Sequence, residues 1–168
     1  MPGRATGACS GVPAKAVAPV ILPGMLIGEH THNLDPKKRL SIPAKFRKEL
    51  GDGAVLTRGL DGCLWLFPSA QWAVLAQRVS DLPMAQSDSR SFARLLLSGA
   101  TEVQFDSLGR ILVPDYLKQY ASLAREVVIT GVHTRLELWD KGAWNQYKTK
   151  LEKNGDAIAQ KLGDLGTI

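Results

Sequence analysis

The sequence predicts a mainly β fold with short helices (α+β class), built from two similar units that close one small pseudo-two-fold β-barrel, with a helix after each half. The phrase Asp35-Pro36-Lys37-Lys38-Arg39-Leu40-Ser41-Ile42-Pro43 returns about 71 residues later as Asp106-Ser107-Leu108-Gly109-Arg110-Ile111-Leu112-Val113-Pro114. Ten Asp and ten Arg in 168 residues would give roughly 0.6 chance occurrences of Asp-x-x-x-Arg, so a single copy would carry little weight. Here there are two and no others, each followed by apolar-x-apolar-Pro and each preceded by a strand-like run opened by a glycine, Gly28 or Gly99. The correspondence continues: Phe46 meets Leu117, Leu56-Thr57 meets Ile129-Thr130, Leu64 to Phe67 meets Leu136 to Trp139, and Trp72 meets Trp144. A unit of this size cannot bury its strand faces alone, whereas two copies can share one core.

The elements follow in order. Residues 26 to 34 and 101 to 105 alternate as strands, with Thr101, Val103 and Phe105 on one face. Asp35-Pro36 starts a turn, because Asp bonds the following backbone and Pro presets φ, and in the second copy Gly109 supplies a residue tolerant of positive φ. Leu40 with Ile42, and Ile111 with Val113, carry the return strands, so each copy is a hairpin with Asp and Arg at its tip. Pro43 and Pro114 suit the first position of helices over Ala44 to Leu50 and Asp115 to Tyr120. Strands are expected over Ala54 to Arg58 and Cys63 to Phe67, then over Glu126 to Gly131 and Arg135 to Trp139. A helix over about Ala70 to Val79 closes the first half. The second half closes with one that starts after Asp140 as N-cap and carries Trp144, Tyr147 and Leu151 on one stripe. Asp81 to Asp88 reads as a linker, and Arg90 to Ser98 as a short helix stopped by Gly99. Interleaving the two copies removes exposed edges from short strands.

The resulting organisation is an unstructured extension over 1–24 and a first repeat over 25–80 with its core at about 29–70. A linker and short helix over 81–98, a second repeat over 99–142, and a C-terminal helix and tail over 143–168 complete it. The extension is rich in Ala, Gly and Pro and holds only Arg4 and Lys15 as charges, and Met25 is a candidate translation start. Pro13, Pro19 and Pro23 interrupt the one stretch that could serve as a signal peptide, and no run approaches a membrane span of about 18 apolar residues, so a cytosolic protein is expected. Cys9 and Cys63 form neither a disulfide framework nor a metal clip. Net charge is +5, or +3 without the extension, which by itself says little about partners. Its distribution is more telling: Lys37, Lys38, Arg39, Lys45, Arg47 and Lys48 place six cations in twelve residues with no acid among them. Taken alone, such a run more often describes a solvated turn and helix face.

These residues resemble the MraZ family of bacterial transcriptional regulators of the division and cell-wall gene cluster. The resemblance spans about residues 25 to 165. It rests on Gly28 followed by Asn33-Leu34-Asp35 with Lys37, Arg39-Leu40 and Pro43, on Asp106 with Gly109-Arg110 and Pro114, and on Leu136-Glu137-Leu138-Trp139 before the last helix. It implies fused AbrB-like swapped-hairpin units, sequence-specific binding to repeated promoter boxes in double-stranded DNA through basic hairpin tips, and a ring-shaped homo-oligomer, an octamer. A repressor of its own operon, associated with the nucleoid, is the function it implies. The family pattern has Gly before the Arg of the first tip, where this chain has Lys38.

Two readings compete at the tips. Asp35 with Arg39 and Asp106 with Arg110 could each brace its own turn, or the arginine could reach phosphate or the O6/N7 edge of guanine while Asp orients it. Lys37 and Lys38 flank Arg39, whereas Ser107 and Leu108 precede Arg110, and Leu108 is expected to pack against something; the first tip is therefore the favoured contact. Lys45, Arg47 and Lys48 are candidate phosphate contacts. His30 and His32 share a strand face, with His133 a conceivable third partner, but further zinc ligands are lacking, so no metal is expected. Trp65, Trp72, Trp139 and Trp144 favour core and subunit contacts over base stacking. No phosphate-cradling loop, zinc-protease or serine-hydrolase motif is present, and each candidate carboxylate carries its own arginine, which excludes an enzyme and calls for no cofactor. The remaining alternative is a non-catalytic protein-interaction or antitoxin-like module with the same fold.

Overall fold

The computed structural model describes residues 25–166, and the 1–24 extension, with Cys9, lies outside them. The chain runs β1 (Leu26–Asn33), β2 (Arg39–Ser41), α1 (Ala44–Leu50), β3 (Gly53–Arg58), β4 (Leu64–Pro68), α2 (Ser69–Ser80) and α3 (Ser87–Ser98). It continues with β5 (Thr101–Gln104), β6 (Arg110–Leu112), α4 (Asp115–Tyr120), β7 (Glu126–His133), β8 (Leu136–Asp140) and α5 (Lys141–Asp164). Six strands form an antiparallel sheet in the order β1-β7-β8-β4-β3-β5, and β2 and β6 form a separate ribbon. Each edge strand leads through its tip into the ribbon, so the ribbon spans from one sheet edge to the other.

The pairing interleaves the repeats. β1 pairs with β7, β5 with β3, and β2 with β6, each across the two copies, while only β3 with β4 and β7 with β8 pair within a copy. One core results, and Leu40, Phe46, Leu56, Leu64 and Leu66 from the first copy meet Ile111, Leu117, Ile129, Leu136 and Leu138 from the second, all 0% exposed. At about 25 cal/mol per Å² of apolar surface, this shared burial is the main stabilising term. Where β1 crosses β7, Gly28 faces Gly131. A Cβ on Gly131 would lie 2.5 Å from the Leu26 carbonyl carbon, so only glycine allows the approach.

Several boundaries differ from the expected ones. Neither glycine opens its strand: Gly28 lies inside β1, and Gly99 lies two residues before β5, where it ends α3 as expected. Pro43 and Pro114 sit one position earlier than expected, as N-cap residues with extended backbone (φ −50°, ψ 138° and φ −60°, ψ 150°). Helix α3 begins at Ser87, inside the expected linker, and its first turn holds Asp88 to complement the helix dipole. Asp140 does cap α5, accepting from the backbone N–H groups of Gly142 (2.9 Å) and Ala143 (3.3 Å). Leu151, expected on the packed stripe of that helix, is exposed, because α5 leaves the body after Lys148. Leu108 is also exposed.

Candidate nucleic-acid interface

Both tips are built on the same turn, to which the second adds a bond from the Leu108 N–H to the Asp106 carboxylate (2.9 Å). In the first, the Lys38 N–H donates to the Asp35 carbonyl (2.8 Å) and the Asp35 N–H to the Arg39 carbonyl (3.0 Å), closing a tight turn. The Asp35 carboxylate then accepts from the Arg39 backbone N–H (2.9 Å) and from Arg39 Nε (2.8 Å). In the second, Gly109 donates to Asp106 (2.8 Å), Asp106 to Arg110 (2.9 Å), and the Asp106 carboxylate accepts from the Arg110 N–H (2.9 Å) and Nε (2.8 Å). Lys38 has φ +62° where Gly109 has φ +71°, so lysine takes a left-handed conformation that glycine adopts without strain.

The two tips also hold each other. Val113 N–H donates to the Lys38 carbonyl (2.8 Å), and Ile42 N–H to the Gly109 carbonyl (3.1 Å). Arg110 Nη1 lies 3.6 Å from Asp35 Oδ2, an ion pair between copies. Hydrogen bonds from each tip's own arginine hold both carboxyls below the usual range. For Asp106 the side-chain and backbone bonds from Arg110 lower it to about 2, and for Asp35 the Arg39 backbone N–H is the leading cause. Both stay ionised and keep their arginines aimed.

The remaining cations have distinct surroundings. Lys37 is exposed, whereas Lys38 Nζ reaches Asp115 at 2.6 Å, a partner supplied by the second copy. Lys45 Nζ donates to the Ile27 carbonyl (3.1 Å), and Lys48 is exposed. Arg47 lies beneath the second tip: a Cβ on Gly109 would collide with its guanidinium, and its Nε is buried without a hydrogen-bond partner. The sequence thus concentrates these six cations in one segment, but the fold sends Arg47 to the second tip and Lys45 to the start of β1. Asp115 was legible only through the repeat alignment, where it follows Pro114 as Ala44 follows Pro43.

The family model described as "MraZ protein, putative antitoxin-like" matches this chain twice, over residues 25–95 and 96–164. The chain belongs to the MraZ family. Among its relatives, the Transcriptional regulator MraZ of Clostridium acetobutylicum is 47% identical over 143 residues, covering 84% of this chain and 99% of that one. The protein of the same name from Pelotomaculum thermopropionicum is 48% identical over 141 residues, covering 84% of this chain and 97% of its own. That of Halothermothrix orenii is 46% identical over 142 residues, covering 84% and 99%.

Away from the tips, the aromatic residues of this MraZ-family chain pack. Trp139 is buried against Tyr147 (centroids 4.9 Å apart) and Trp144 (5.4 Å), and Trp72 stands against Phe67 (5.9 Å). Arg135 lies over the Trp65 ring at 4.4 Å. The His30 ring meets Phe46 edge-on at 5.2 Å, and among the described residues no three metal-ligating side chains gather. Burial pushes the Cys63 thiol up to about 12, which leaves it protonated and unreactive. No described helix is long and apolar enough to cross a membrane.

Proposed function

We propose that this protein is a sequence-specific, DNA-binding transcriptional regulator that represses its own division and cell-wall operon. In this reading it is not an enzyme. It works in the cytoplasm at the nucleoid and binds repeated promoter boxes through the first tip as a ring-shaped homo-oligomer. The observation that carries the reading is the first tip, where Arg39 is oriented by an ionised Asp35 on a doubly anchored turn and is flanked by Lys37 and Lys38. Family membership and the name Transcriptional regulator MraZ on the relatives support it. Arg110 is the weaker candidate, because it is shared between Asp106 and Asp35.

Assembly follows from how little one tip can do. Three cations neutralise few phosphates, and at a log–log salt slope of about −0.9 per contact a lone chain is readily displaced. Several tips in one ring bind at the effective concentration their neighbours set. The exposed apolar residues Leu151, Ile158, Leu162 and Leu165 at the end of α5 support contact between copies.

The test is binding to a duplex taken from just upstream of the protein's own gene, read across a salt series. Arg39→Ala weakens binding by about 1–3 kcal/mol, and Arg110→Ala by less. Equal losses would remove the assignment to the first tip. A protein-interaction or antitoxin-like module, which the family description also suggests, would show no salt-dependent binding to that duplex in preference to an unrelated one.

A further inference from the structure

A trough of about 710 Å³ opens beside the first tip, lined by Asn33, Asp35, Lys38, Lys118 and Arg125 among others. That is far more room than the about 30 Å³ share of one water. Its charges are not equivalent. Asp35 is taken by Arg39 and Lys38 by Asp115, whereas Lys118 and Arg125 form no ion pair among the described residues. The nearby carboxylate of Glu126 is held by Lys141 at 2.8 Å. The trough therefore has two uncompensated cations. Their backbone is fixed, since the Arg125 carbonyl accepts from Leu34 N–H (2.8 Å) at the root of the tip and the Lys118 carbonyl from Leu123 N–H (3.0 Å).

The second tip provides an internal control. Asn33 pairs with Glu126 at the start of β7, and Gln104 pairs with Gly53 at the start of β3. The residues just before those strands, Arg125 and Asp52, are thus counterparts, and so are Lys118 and Arg47 in the helices after the two prolines. At the second tip the counterpart of Arg125 is an acid, and Arg47 is packed beneath Gly109. Only the trough at the first tip is basic and open.

We infer that this trough is a phosphate-binding site: it holds the sugar-phosphate strand flanking the bases met by the first tip, with Lys118 and Arg125 as the contacting cations. The inference rests on the DNA-binding reading. A cation that meets phosphate adds affinity to every sequence alike and steepens the salt dependence, whereas a base contact changes preference.

The experiment uses the full chain, the duplex from upstream of its own gene and a scrambled duplex of equal length. Replacing both residues, Lys118→Gln with Arg125→Gln, lowers the magnitude of the log–log salt slope by about 1.8 per chain engaged. It weakens binding to both duplexes by the same factor, whereas Arg125→Lys alone, which keeps the charge, leaves the slope as in the unsubstituted protein. Lys153→Gln, on the exposed end of α5, leaves binding unchanged. Ethylation interference with the unsubstituted protein marks phosphates flanking the box, and those phosphates lose their effect in the Lys118/Arg125 double variant. If the slope is unchanged while Arg39→Ala still weakens binding, the trough assignment is wrong and the regulator reading stands. If the ratio between the duplexes shifts and the slope does not, the residues read bases and the phosphate assignment is overturned. If no variant changes binding, the DNA reading fails with it.

Discussion

Lys38 shows at the residue scale what the first tip costs. A non-glycine residue at φ +62° is disfavoured by about 1 kcal/mol or more. Replacing it by Gly or by Ala removes the Asp115 ion pair in both cases, but only Ala keeps the strain. Lys38→Gly is therefore expected to be more stable than Lys38→Ala by about 1 kcal/mol, measured by urea denaturation. Gly109→Ala brings both a strained φ and a collision with Arg47. Its loss is partly recovered in the double variant with Arg47→Ala, a coupling that two independent sites would not give. Asp106 sets an acid limit on the second tip. Its folded carboxyl is lowered to about 2, against about 3.9 in an unfolded chain. The stabilisation is thus full above about pH 4 and is lost as pH falls toward 2. Between those values Asp106→Asn should flatten the fall in melting temperature. An unchanged acid profile would mean that the Arg110 bonds do not hold in solution.

Helix α5 carries the argument at the element scale. Its start is secured, since Asp140 caps it and also accepts from Ala124 N–H (3.2 Å), so Asp140→Ala should cost about 0.5–2 kcal/mol in chemical denaturation. Its end is not, because residues 151–164 are exposed throughout, and a stretch of that length is marginal as an isolated helix. Truncation after Lys150 should leave the melting temperature nearly unchanged and reduce the assembled mass seen by light scattering. A full-sized assembly from the truncated chain would place the contact between copies elsewhere. Most elements were legible in the sequence because their signals are local: alternation in β1, the Asp140 cap, the apolar pair Phe46 and Leu50 in α1. The boundary of α3 was not, because Ser87 and Asp88 read as linker by composition, although the Arg90 N–H donates to the Gln86 carbonyl (3.2 Å) in the first turn of the helix. Leu151 misled for the opposite reason: it has the right spacing but no surface opposite it.

At the scale of the whole molecule, the repeat was legible and the register of its interleaving was not. No pattern in either copy states that Leu40 will lie opposite Ile111, or Gly28 opposite Gly131; those pairings are fixed by the partner copy. The site shows the same division. Asp35, Arg39, Asp106 and Arg110 could be picked out from their spacing, but the cross-copy contacts of Asp115 and Arg47 exist only after folding. A further expectation follows from the pairing. Residues 25–95 or 96–166 expressed alone retain a single intra-copy strand pair each and should remain unfolded by circular dichroism, whereas co-expressed they should recover the native spectrum. A folded monomeric half would contradict the interleaved fold.

The near-identity of the two tips, broken at Lys38 and Gly109, bears on what kind of DNA word this protein can read. A symmetric pair of chains presents the same edge twice and favours a sequence that reads alike on both strands. Here the two edges are joined in one chain and have diverged, one with lysines and an open basic trough, the other with glycine and a filled one. On the proposed reading, a chain with a front and a back distinguishes the two directions along the double helix, so a box it reads needs no internal palindrome, and inverting one such box is expected to change binding.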